Sequence, residues 1–65
     1  MRISLNGNTH EVAAENLADA LHALDYGEAI IATAVNGRFV PAAQRRECKL
    51  TDGDEIEVVA PMQGG

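Results

Sequence analysis

The residues with the most suggestive chemistry stand at the end of the 65-residue chain, which closes on Met62-Gln63-Gly64-Gly65. A carboxylate is a poor electrophile, because its charge repels nucleophiles and oxide is not a workable leaving group. Transfer of AMP from ATP turns a terminal carboxylate into a mixed anhydride, which a sulfur nucleophile can attack. The carbonyl must then enter a narrow cleft beside the nucleotide. Residues without a Cβ can thread a slot that any side chain would block. Met62 to Gly65 extend roughly 13 Å, so such an end can reach into a cleft while the folded body docks outside. The competing reading is a frayed end without a role.

Other side chains offer less. A single cysteine, Cys48, forms no internal disulfide and holds no iron–sulfur cluster. Nothing beside it in sequence activates its thiolate, so it reads as a half-buried small hydrophobe rather than a sulfur relay. His10 and His22 lie twelve residues apart without metal-ligand spacing and read as surface or boundary residues. No Ser/His/Asp, Cys/His or paired-carboxylate arrangement stands out. Gly53 sits among acids that would repel a phosphate. These features exclude a free-standing enzyme and a bound metal.

Ten acidic residues against five basic ones give a net charge of −5. That balance excludes a nucleic-acid binder, which needs a positive face to displace counterions. It suits docking onto a basic protein surface. Asp52, Asp54, Glu55 and Glu57 precede the tail, either as a solvated turn and edge or as a cluster that meets a basic partner. Val59 and Met62 have two readings as well, an apolar docking patch beside the tail or inward packing. No charged-then-apolar leader and no long apolar run is present, which points to a soluble cytoplasmic protein without a membrane span.

The elements that must position this end follow from periodicity. Arg2–Asn6 alternates, Asn6-Gly7 suits a two-residue hairpin turn, and 8–13 reads as the returning strand with Val12 as its main apolar residue. Leu17, Leu21 and Leu24 then recur at i, i+4 and i+7, which predicts one amphipathic helix over 16–26. Asn16 is the expected cap, and Gly27 the expected left-handed terminator. The run 29–35, Asn36-Gly37 and Arg38-Phe39-Val40 predict a second hairpin. Its inward face is open, because Ile30/Ala32/Ala34 and Ile31/Thr33/Val35 are both apolar enough. Phe39, the only phenylalanine, is expected to pack, and Tyr26 to cover the helix end. Pro41 stops the short strand, and 42–49 reads as a loop with room for one helical turn. After the turn at 51–54, the segment 55–60 alternates with Ile56, Val58 and Ala60 on one face, and Pro61 ends it. Helix on sheet is the simplest way to bury this pattern, with the other sheet face left partly open.

The opening hairpin with Asn6-Gly7, the segments Ala34-Val35-Asn36-Gly37 and Val40-Pro41, the stretch Leu50-Thr51-Asp52-Gly53-Asp54-Glu55-Ile56, and the end Gln63-Gly64-Gly65 carry a resemblance. Across essentially its whole length the chain resembles the ThiS family of β-grasp, ubiquitin-like sulfur carriers. The resemblance implies an α+β fold with a mixed four- to five-stranded sheet, one helix on one face and a flexible Gly-Gly tail. The domain would span 1–61 and the reactive tail 62–65. It further implies a carrier that binds no cofactor itself. A ThiF-like adenylating enzyme using ATP and Mg²⁺ would activate the Gly65 carboxylate. A persulfide-bearing sulfurtransferase would supply sulfur to give a thiocarboxylate, and a ThiG-like thiazole synthase would accept it during thiamine biosynthesis. Two alternatives share the acyl adenylate or the fold: a molybdopterin-synthase small subunit, and a ubiquitin-like modifier or interaction module. The chain departs from the family's frequent basic-then-aromatic pattern after the proline, having Ala42 and no aromatic residue through Cys48.

Overall fold

Two Asn-Gly dipeptides shape most of the sheet. In the computed structural model, which describes residues 1–27 and 30–60, Asn6 and Gly7 adopt φ of 49° and 86°, and Asn36 and Gly37 adopt 52° and 83°. Both residues of each pair are left-handed, the geometry whose twist matches that of paired strands. The first turn joins β1 (Arg2–Leu5) to β2 (Asn8–Glu11), and the second joins β3 (Ala32–Val35) to β4 (Arg38–Val40). The last strand is β5 (Glu55–Val59).

The five strands form one mixed sheet in the order β2-β1-β5-β3-β4. β5 is therefore central, parallel to β1 and antiparallel to β3. Ile3, Leu5, Val35, Val40, Ile56 and Val58 face one side of the sheet, and all are buried. The register resolves the ambiguity in β3. Thr33 pairs with Val40 and lies inward with Val35, while Ala32 and Ala34 face outward. Thr33 is buried without an unmet polar group: its hydroxyl donates to the Val40 carbonyl at 2.9 Å and accepts from Arg45 Nε at 3.0 Å.

The inward face is covered by α1 (Leu17–Ala23), which buries Leu17, Ala20 and Leu21. Asn16 caps it as expected, its side-chain oxygen accepting the Asp19 N–H at 2.8 Å. The helix is shorter than its leucine spacing suggests, because the chain turns out at Asp25 with φ of 70°. Asp25, not Gly27, takes the left-handed position. At Gly27 an added Cβ would stand 2.5 Å from the His22 ring nitrogen, so the exposed His22 ring would have to turn aside. Tyr26 is half-buried against the core, consistent with its covering the helix end.

A 3-10 turn at Ala42–Gln44 follows β4. Arg45 pins this segment beneath the second hairpin, donating to the Ile31 carbonyl at 2.6 Å as well as to Thr33. Three strands are shorter than their patterns suggest, and of these β3 begins only at Ala32, with Ile30 and Ile31 outside it. β2 ends at Glu11, though Val12 is buried as expected, and Ala60 lies beyond β5 and is exposed rather than inward. No helix among the described residues is long and apolar enough to cross a membrane.

Candidate functional site

The strand that leads to the tail is held on both sides. β5 has a neighbour on each side, and both Asn-Gly turns add side-chain grips to it. The Asn6 carboxamide accepts from Val58 N–H at 2.9 Å and donates to the Val58 carbonyl at 3.1 Å. Asn36 accepts from Glu55 N–H at 3.0 Å and donates to Asp54 at 3.0 Å. Residues 61–65 thus continue from a root fixed from both flanks. Pro61, Met62, Gln63, Gly64 and Gly65, on which the strand-stop and reactive-tail readings fall, lie outside the described residues, as do Glu28 and Ala29.

The open face of the sheet divides into two zones. Glu55, Glu57 and Val59 point outward along β5, and all three are exposed. Val59 pairs with Ala32, Glu57 with Ala34, and Ala34 with Phe39. Val59 is 64% exposed, Phe39 69% and Ile30 79%, so large apolar side chains gather where the chain leaves β5. Ala32, Ala34, Phe39, Glu57 and Val59 line a shallow hollow of about 230 Å³ there. On the β1–β2 side the same face presents Ser4 and Thr9 beside Arg2 and Glu11.

Phe39 was expected in the core and stands outside it. The physical reason is parity: the two-residue turn pairs Ala34 with Phe39, and Val40 takes the inward place beside Thr33. Ile30, Ala32 and Ala34 are the other members that sequence periodicity left undecided. A signal was present in the turn length, because Asn36-Gly37 fixes the pairing of the strands around it.

The acidic residues do not form one cluster. Asp52 accepts the Arg2 N–H at 2.6 Å and so ties the 51–54 turn to β1. Asp54 accepts from Thr51 N–H at 2.8 Å, from the Thr51 hydroxyl at 3.1 Å and from Asn36. The Thr51 N–H foremost, with help from Asn36 and the Thr51 hydroxyl and against a smaller opposing effect of burial, holds the Asp54 carboxyl below its ordinary range. Glu55 and Glu57 alone join Val59 on the outward face.

Cys48 is half-buried and packs against the core. His10 is half-buried on β2, and His22 is exposed on α1. Among the described residues no three His, Cys, Asp or Glu side chains are placed to hold a metal ion.

The sequence model of the ThiS family matches residues 3–65. The chain belongs to the ThiS family. The match runs from β1 through Gly65 and includes the end the structure does not describe. The crystal structure of the thiamine biosynthesis protein ThiS from Geobacter metallireducens is similar to it over the full length of both chains, with 29% identity and a TM-score of 0.82. An NMR solution structure of a thiamine biosynthesis protein from Geobacter metallireducens is 25% identical, with a TM-score of 0.77. It aligns with all of this chain and 88% of its own. No curated protein gives a significant match. As a ThiS-family member the chain is a sulfur carrier of thiamine biosynthesis, a protein co-substrate rather than a catalyst.

Proposed function

We propose that Gly65 is the atom-carrying end of this carrier and that the outward face around Val59 is where its partners dock. In this reading the Gly65 carboxylate attacks the α-phosphate of ATP in a ThiF-like adenylating enzyme, and pyrophosphate leaves. Mg²⁺ and ATP belong to that enzyme. Persulfide sulfur from a sulfurtransferase then displaces AMP to give an acyl disulfide, and a thiol cleaves its S–S bond, leaving the end as a thiocarboxylate and the thiol oxidised to a disulfide. A ThiG-like thiazole synthase takes the sulfur, which donates well because its negative charge sits on a large, polarisable atom. The whole exchange belongs in the cytoplasm, where ATP and reduced thiols are abundant.

The observation that carries this reading is the family match extending through Gln63-Gly64-Gly65. The geometry of the body supports it. A carrier that supplies only an end group needs a rigid root and a recognisable surface next to it. β5 is central, and Val59, Phe39 and Ile30 are exposed beside its last residue. Glu55 and Glu57 flank them and suit a basic rim on the partner. Met62, one residue past Pro61, is assigned to the same contact, and Asp52 and Asp54 to its margin.

Intact-protein mass spectrometry tests the chemistry. The chain is incubated with ATP, cysteine and extract of a host that makes thiamine. Replacement of one oxygen by sulfur at Gly65, absent after deletion of Gly64-Gly65, is the expected result. A mass that never changes, in extract that charges an established carrier, overturns the proposal. Co-purification with a molybdopterin-synthase large subunit instead of a thiazole synthase would redirect the acceptor and leave the carrier chemistry standing.

A further inference from the structure

The carboxamides that grip β5 are the groups a spontaneous reaction removes. Besides their side-chain bonds, Asn6 N–H donates to the Ile56 carbonyl at 2.9 Å and Asn36 N–H to the Glu55 carbonyl at 2.7 Å. Asn6 thus meets β5 through three hydrogen bonds, and Asn36 through two, with a third to the preceding Asp54. Each is also followed by a glycine whose surroundings are open, since an added Cβ at Gly7 or Gly37 would meet nothing within 4 Å. A glycine amide nitrogen has no side chain beside it to hinder attack on the preceding carboxamide. Asparagine is already a thermolabile residue, and this sequence context is the one that exposes it most.

We propose that Asn6 and Asn36 are paired deamidation sites gated by β5, and that reaction at either prevents the strand's full return. The steps balance without any oxidant or reductant. The glycine nitrogen bonds to the asparagine Cγ, the Cγ–N bond breaks, and ammonia leaves with the glycine amide proton. Water opens the resulting succinimide at either carbonyl, giving aspartate or isoaspartate. While β5 is seated, each carboxamide is bonded at both its oxygen and its nitrogen and is not free to turn toward the glycine. Reaction therefore proceeds through conformations in which β5 has let go.

The products explain why return is impaired. At Asn36 the new oxygen replaces the N–H that lies 3.0 Å from Asp54 Oδ1, so two carboxylates face each other. At Asn6 the new oxygen faces the Val58 carbonyl, 3.1 Å away. Isoaspartate additionally lengthens the main chain of a two-residue turn and shifts its register. Either product loosens the strand that leads to residues 61–65, and this holds whatever that end carries.

The test begins with the unaltered chain held at neutral pH, folded and in strong urea, with peptide mapping by mass spectrometry for exchange of NH2 for OH. In urea both sites convert. Folded, both are slower by about tenfold or more, as protection by a global or near-global opening requires. Equal rates in the two conditions overturn the gating. Asn36→Asp is then compared with Asn8→Asp, which adds the same charge at an exposed strand start. The first lowers the folding equilibrium constant about 10- to 100-fold, as loss of a donor facing a charged acceptor implies, and the second leaves it nearly unchanged. Equal stability of the two variants overturns the claim about return, and the rate comparison stands even if Asn36→Asp does not fold.

Discussion

Replacing Phe39 by alanine separates recognition from chemistry. Full burial of a phenylalanine side chain is worth at most about 3 kcal/mol. Phe39 is 69% exposed, so roughly 2 kcal/mol of that remains to be gained when a partner covers it. Removing it raises the dissociation constant about 30-fold. The covered third of the ring limits the loss of fold stability to about 1 kcal/mol. The assay is the rate of Gly65 adenylation by the activating enzyme as a function of carrier concentration. The apparent KM rises by the same factor while kcat holds, because the ring contributes equally to ground and transition states. Arg46→Ala is the control, since Arg46 lines a hollow beside α1 on the covered side of the sheet. An unchanged KM for Phe39→Ala, or an equal rise for Arg46→Ala, would refute the placement of the docking surface.

Three further outcomes concern the body. Leu17 is fully buried beneath the sheet, and Leu17→Ala lowers stability by about 2–5 kcal/mol in urea unfolding. Asn16→Ala removes the cap on the Asp19 N–H, with a loss of about 1 kcal/mol and a lower thermal midpoint. Asp54 has a folded pKa below its ordinary value of 3.8, so its carboxylate stabilises the fold above that pH. That contribution is lost as pH falls from 3.8 through the depressed folded value. Urea unfolding across this acid range should show the loss in the unaltered chain and a flatter profile in Asp54→Asn.

Local chemistry was the legible part of the sequence. Asn-Gly at 6–7 and 36–37, the cap at Asn16 and the alternation of 55–59 are short-range signals, and each is realised. The central place of β5 is not a short-range signal. It depends on a parallel pairing between Leu5 and Ile56, fifty-one residues apart, for which neither segment carries a mark. β3 defeated periodicity because both of its faces are apolar, one to meet the helix side and one to lie open. Phe39 was misplaced for the same reason: a lone aromatic reads as core unless the hairpin register is worked through to Val40. The helix end was misplaced because an aspartate, Asp25, adopts the left-handed conformation that composition assigned to a glycine. Of the proposed site, the Gly-Gly end rests on residue type and the family match, whereas the exposed surface at Val59 and Phe39 required the register.

A carrier that hands its end group to a partner's active site influences the reaction through position. Gly65 lies five residues beyond Ala60, so its reach from the root is at most roughly 17 Å. A free peptide ending in Gly-Gly would lose its full translational and rotational freedom on entering an active site. Docking the body first makes the second event intramolecular, at an effective concentration set by that short reach. The gain exists only if the root is fixed relative to the docked surface. In the docking proposed above both are the same strand: β5 carries Glu57 and Val59 outward, holds Ile56 and Val58 in the core, and is clasped by Asn6 and Asn36. The residues that fix the root and those that offer a surface beside it therefore alternate along five positions of one strand.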